Sequence, residues 1–225
     1  MYKTPSGKEI DIEAAIVYVN RSDLVIKSLE SIPKEITVHF VQETDITKNP
    51  DLRGEIFKRS NVQFYEKGQQ GCATDWNFCT KQCKSKYLLL VSADCRFLGE
   101  VLNKSLDIAL DNPDIKVFSY WKKWMKIWLY DVDFFKKMGG FDERYWIGGE
   151  DEDFQWRMMK EGYQFGLFRT KQIDHMDGGK HTRDIKRPES HCKSVQIQWE
   201  KWGWTSKRQR DEELSKIENY KHFRV

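Results

Sequence analysis

The run Tyr87 to Val91, YLLLV, carries five apolar residues with no polar break. That is the signature of a strand buried on both faces, the situation of a central strand in a parallel sheet. Its flanks supply the cover such a strand needs. Ala14 to Val19 is a second short apolar run, and a helical pattern with Leu24, Ile26 and Leu29 follows it over 23–31. Residues 36–41 and 62–65 read as further strands, and 71–83 as a helix. Strand and helix alternating through the first 110 residues predict an α/β fold, Rossmann-like, with a mainly parallel mixed sheet flanked by helices. Ligands on such sheets sit at the carboxyl ends of the strands. The turns after residues 19, 41 and 91 are therefore where a site is expected.

The 225 residues contain no long repeat and no low-complexity linker, and the five prolines are dispersed, so one domain over 1–225 is expected. With 38 basic against 35 acidic residues, net charge by itself does not call for a polyanionic partner. Its distribution is informative. Residues 180–210 hold nine basic residues and three acidic ones, whereas 142–153 hold six carboxylates and the single Arg144. Eight of the nine tryptophans follow residue 120, so the second half is built differently from the first. Five cysteines without a CxxC pair, an N-terminus without an apolar leader and the lack of any long apolar stretch predict a cytoplasmic chain with no membrane span. Oligomeric state is left open.

Three segments carry candidate chemistry. Asp94, in the turn Ser92-Ala93-Asp94 beyond YLLLV, stands where a carboxylate can hold Mn²⁺ or Mg²⁺, and equally where it can cap a turn or helix. In GGFDERYWIGGEDEDFQWRMMKEGY (139–163), the Gly pairs punctuate a helix over 132–138 and a second over 150–162. Acidic residues at a helix start favour the macrodipole, which accounts for one or two of the four at 150–153. One beside a glycine-lined pocket can act as a general base. Trp146 offers an apolar face to a sugar ring or base, or packs in the core. Finally, 173–181 places His175 and His181 beside Asp174 and Asp177, a possible metal-ligand group. The Trp121, Trp124 and Trp128 series reads as core or cleft wall, QWEKWGW (198–204) as an aromatic plug, and 206–220 as a solvated helix.

QGCATDWNFCTKQCKSKYLLLVSADCRF (70–97) resembles the donor half of GT-A fold glycosyltransferases, with Ser92 where the first Asp of their DxD turn would stand. GGFDERYWIGGEDEDFQWRMMKEGY resembles the acceptor half, with the GGFDE and GGED motifs of family-2-like, polypeptide N-acetylgalactosaminyl and β-1,4-galactosyl transferases. The resemblance covers roughly 13–178 and implies a donor half over about 13–110, an acceptor half over 111–178 and a basic aromatic extension over 179–225. It implies a metal-dependent transferase moving a sugar from a nucleotide-diphosphate donor, UDP-sugar favoured, to a saccharide or glycoconjugate hydroxyl. On motif position, Asp94 and His175 would be the metal ligands and Asp151 the base of an inverting reaction. Asn20, Arg21, Gln42, Glu43, Asp75, Asn77 and Ala93 would line the nucleotide site, and Trp146, Gly149 and Glu150 the acceptor site. Two alternatives carry less weight: a nucleic-acid acceptor such as hydroxymethylated DNA, suggested by the basic tryptophan-containing tail, and a nucleotide-sugar binding domain without turnover.

Overall fold

The computed structural model describes residues 1–18, 22–43, 50–68, 70–120, 125–176 and 187–225. In chain order the strands are β1 (Tyr2–Lys3), β2 (Glu9–Ile10), β3 (Ile12–Tyr18), β4 (Thr37–Gln42), β5 (Val62–Glu66), β6 (Tyr87–Ser92), β7 (Cys95–Phe97), β8 (Val117–Ser119), β9 (Ile127–Asp131), β10 (Phe165–Arg169), β11 (Ile173–His175) and β12 (Tyr220–Arg224). The helices are α1 (Ser22–Glu30), α2 (Pro50–Phe57), α3 (Cys72–Gln82), α4 (Val101–Asp111), α5 (Val132–Lys137), α6 (Glu150–Lys160), α7 (Arg187–Trp202) and α8 (Lys207–Ile217).

Eight strands form one sheet in the order β12-β10-β8-β9-β6-β3-β4-β5. All pairs are parallel except the two made by β9, which runs against β6 and β8. The expected mainly parallel mixed sheet is thus present, and β6 lies inside it as its apolar run requires. Side-chain alternation divides the core into two layers. Ala14, Ile16, Leu89 and Val91 pack with Val25 and Leu29 of α1 and Leu102 and Leu106 of α4. Ala15, Val17, Leu88 and Leu90 pack on the other face with Trp76 of α3 and Phe154 and Met158 of α6. Each fully buried Leu or Ile contributes about 1.5–3 kcal/mol over its exposed state.

One local reading needs correction. Residues 206–220 do not form a single helix: α8 ends at Ile217, and the chain returns as edge strand β12 beside β10. The stretch LYDVDFF (129–135) divides between β9 and α5, because the Asp131 side chain accepts from Phe134 N–H and caps the helix. Trp128 lies on β9 and is fully buried, while Trp121 and Trp124 fall outside the described residues.

Candidate active site

The exit of β6 turns through Ser92-Ala93-Asp94 into β7, which pairs antiparallel with β11 so that Cys95 faces His175 and Arg96 faces Asp174. This two-stranded ribbon carries His175 to Asp94, and its imidazole Nε2 donates to Asp94 Oδ2 at 2.6 Å. Met176 N–H donates to the Asp94 carbonyl at 2.9 Å, and Arg96 Nε pairs with Asp174 Oδ2 at 2.9 Å. Asp94 is fully buried. Burial pushes its carboxyl up, but the bond from His175, the Lys126 ammonium at 3.8 Å and the Ser92 hydroxyl outweigh burial and hold it well below the usual carboxylate range. Ligand atoms of Asp94, Cys95 and His175 lie within 4.8 Å of one another. A carboxylate and an imidazole meeting at one point suit a divalent ion such as Mn²⁺. Cys95 differs: burial, then the charge of Asp94, push its thiol far up, so it stays protonated and donates weakly to Asp94 Oδ1.

The six carboxylates of 142–153 separate by partner. Asp142 takes Arg144 and Lys201, at 2.6 and 2.7 Å. Glu143 accepts from Asn77 Nδ2 at 2.9 Å. Asp153 takes Arg157 at 2.8 Å, Lys201 at 2.9 Å and Trp202 Nε1 at 3.1 Å. Glu152 accepts from Gln198. Glu150 and Asp151 remain, both buried at the start of α6 and with no cationic side chain in ion-pair contact among the described residues. Asp151 Oδ2 accepts the Met125 N–H, and Oδ1 the Glu152 N–H at 2.9 Å. Burial raises the Asp151 carboxyl, against the pull of those two amides. Burial and the adjacent Asp151 charge push Glu150 up to about 8. At that value the Glu150 carboxyl exchanges protons near neutral pH.

A second acidic group lies close by. Glu43, just past β4, is buried, and its burial together with Asp75 pushes it up to about 9. Asp75 on α3 has Lys67 Nζ at 3.6 Å. Burial, then Glu150, Glu43, Asp75 and Asp151 in that order, raise the Cys72 thiol, so both acidic pairs surround the start of α3. Trp146 bridges to the same point: its carbonyl accepts from Cys72 N–H at 2.8 Å, and a Cβ on Gly71 would lie 2.3 Å from its Cδ1. Glu43, Asp75, Trp146, Glu150 and Asp151 are thereby gathered together.

Three expected site residues are otherwise engaged. Asn77 has both ends of its amide on Phe141, at 2.9 Å each, and on Glu143, so it ties α3 to the Gly140 turn. Gly149 accommodates Tyr145 and Gln198, which a Cβ would meet at 3.1 and 3.0 Å. The Ala93 carbonyl accepts from Ser28 of α1 at 2.8 Å, fixing the Ser92-Ala93-Asp94 turn. Asn20 and Arg21 fall outside the described residues, as do Asp177 and His181. Sequence reading passed over Met125 and Lys126, which touch Asp151 and Asp94 respectively; a strand running backward through the sheet leaves no mark in residue periodicity.

The tail forms a plug. Trp204 is buried, with its ring 5.2 Å from Trp156 and 5.6 Å from Trp202, and its Nε1 donates to Glu213 at 2.8 Å. These faces are spent on α6 rather than presented for stacking on bases. No helix among the described residues is long and apolar enough to cross a membrane.

Residues 104–182 match the family model for the N-terminal domain of galactosyltransferase. The mannosyltransferase PcManGT from Pyrobaculum calidifontis, solved with GDP-Man and Mn²⁺, is similar with a TM-score of 0.68 and 14% identity, over 83% of this chain and 63% of that one. GalNAc-T7, solved with UDP, GalNAc and Mn²⁺, gives 0.57 and 10% over 68% and 41% of the two chains. S. aureus TarS 1–349 gives 0.54 and 14% over 66% and 55%. The chain therefore spans less than two thirds of each of these proteins. No curated protein matches it. The fold is that of the GT-A glycosyltransferases.

Proposed function

We propose that the chain is a glycosyltransferase that moves a sugar from a nucleotide-diphosphate donor to an acceptor hydroxyl with inversion. The observation that carries this reading is the pair Glu150 and Asp151, buried at the start of α6 with no cationic side chain in ion-pair contact among the described residues, and joined through Met125-Lys126 to the Asp94–His175 pair. Asp151 takes the proton from the acceptor hydroxyl, whose oxygen forms the bond to the anomeric carbon. The bond from that carbon to the diphosphate breaks, and its electron pair stays on the phosphate oxygen. The raised Asp151 carboxyl is a stronger base than an exposed one, while its two amide donors hold it in place and favour its charged form. Mn²⁺ or Mg²⁺ held by Asp94 and His175 would supply charge stabilisation to the departing diphosphate. Glu43 and Asp75, past β4 and on α3, would face the nucleotide, and Trp146 with Glu150 the acceptor. UDP-sugars come first for testing, since TarS and GalNAc-T7 have both been solved with UDP.

The test is a screen of nucleotide sugars with and without Mn²⁺, reading released nucleoside diphosphate, with the anomeric configuration of the product followed by NMR. Turnover of one donor with inversion is expected. Asp151→Asn keeps an acceptor atom for Met125 N–H, gives up the bond from Glu152 N–H, and should lower turnover about 10²- to 10⁴-fold when measured well below its melting temperature. Equal turnover by this variant removes the base assignment.

A further inference from the structure

We infer that Lys126 is a diphosphate-binding residue whose ammonium faces the leaving group from between Asp94 and Asp151. The inference deepens the transferase reading and rests on it.

The placement follows from topology. Parallel strands present only their carboxyl ends to the site edge, but β9 runs the other way, so its first residues arrive where β6 leaves. Val91 faces Ile127 in register, and Ser92 N–H donates to the Lys126 carbonyl at 2.8 Å. The residue before, Met125, gives its N–H to Asp151. The dipeptide Met125-Lys126 is thus fastened on one side to the turn that carries Asp94 and on the other to the acid at the start of α6. Lys126 cannot leave this point without breaking the backbone bond to Ser92.

Its side chain is mostly buried, 16% exposed, and its ammonium stands 3.8 Å from Asp94 Oδ2. At that distance it is an ion pair and not a hydrogen bond, while His175 bonds the same oxygen at 2.6 Å. Among the described residues no acceptor takes a hydrogen bond from this ammonium, which leaves its N–H donors to direct elsewhere. With Ser92 in place of a second acid, the turn itself presents one buried carboxylate, Asp94, beside a fixed cation and an imidazole. Such a site carries less negative charge than a cage of carboxylates and favours a polyanionic group. A preplaced ammonium opposite a phosphate oxygen that gains charge as its bond to the sugar breaks costs no reorganisation at that moment.

Binding of inorganic pyrophosphate to the full chain, measured calorimetrically in EDTA at low salt, tests this without a donor or a metal. Wild type and Lys126→Arg are expected to bind, and Lys126→Met, which keeps the aliphatic stem, to bind about 10- to 100-fold more weakly. Lys126→Gln provides the same comparison should the Met variant not fold. Pyrophosphate binding that is equal in the neutral variants, or undetectable in wild type, overturns the inference. Donor turnover decides the transferase reading separately. A donor turned over by wild type, alongside pyrophosphate binding indifferent to Lys126, removes the lysine and leaves the transferase.

Discussion

Asp94 and His175, 81 residues apart in sequence, meet at 2.6 Å because β7 and β11 pair across the edge of the main sheet. The contact fastens β11 to the turn that leaves β6, and it forms the two-ligand set proposed for the metal. Asp94→Asn and His175→Gln keep the shape of each side chain and remove its ligand character. Mn²⁺ affinity, measured by calorimetry, is expected to fall about 10- to 100-fold in either variant. Affinity unchanged in both would place the ion, if one binds, elsewhere.

Glu150 and Glu43 give stability a dependence on pH that most carboxylates do not. Their folded values, about 8 and about 9, lie above the ordinary 4.5. Over that interval the folded chain holds protons that the unfolded chain has released, so stability is full below about 4.5 and falls as pH rises through 8 and 9. The slope approaches ~1.4 kcal/mol per pH unit for each group while the difference is a whole proton. Asp94 and Asp142 act only on the acid side: their carboxyls are held low, and their contribution disappears as pH falls below the usual carboxylate range. Urea unfolding between pH 5 and 9 should show stability decreasing, with a flatter profile in Glu150→Gln and Glu43→Gln. A rising profile in wild type would contradict this account of their burial.

Much of the fold was readable because burial on both faces of a strand forces an apolar run, as in YLLLV, and because glycine pairs and acidic first turns mark helix starts, as at Glu150. The edge strand Tyr220–Arg224 escaped for the opposite reason: it is largely exposed and carries no apolar run, so only its first residue entered a reading, as the end of a helix. Asp94 and Asp151 stand in motifs and could be singled out. Asn77 stands in one too, yet its hydrogen bonds go to Phe141 and Glu143, a pairing that only the folded turn creates. Lys126 depends on the reversed direction of β9, which side-chain period does not encode.

Trp204 tests the plug against the nucleic-acid reading. Its ring is 4% exposed and wedged between Trp156 and Trp202. Trp204→Ala leaves a large cavity beside α6 and should cost about 3–5 kcal/mol in urea unfolding. A tryptophan serving to stack bases would instead leave stability nearly unchanged and weaken a salt-sensitive affinity for DNA. The second outcome would favour the nucleic-acid acceptor over the plug.

Gly71 and Gly148 separate backbone strain from collision. Both have positive φ, +94° and +81°, so an Ala at either is strained, and at Gly71, with ψ 154°, the backbone is one that almost only glycine adopts, at about 1–3 kcal/mol. A Cβ at Gly148 meets nothing within 4 Å, whereas at Gly71 it would lie 2.3 Å from Trp146 Cδ1 and 2.7 Å from the Trp146 carbonyl. The second of these is the acceptor of the Cys72 N–H bond, which must lengthen or break. Trp146 precedes Glu150 by one short turn, so the displacement is carried to the start of α6 and to Asp151. Gly71→Ala should therefore destabilise by about 2–4 kcal/mol and depress donor turnover beyond what its stability explains, while Gly148→Ala loses only the strain cost. Melting curves and turnover measured well below each melting temperature distinguish the two. Equal effects from both substitutions would show that the Trp146 contact does not position the acid.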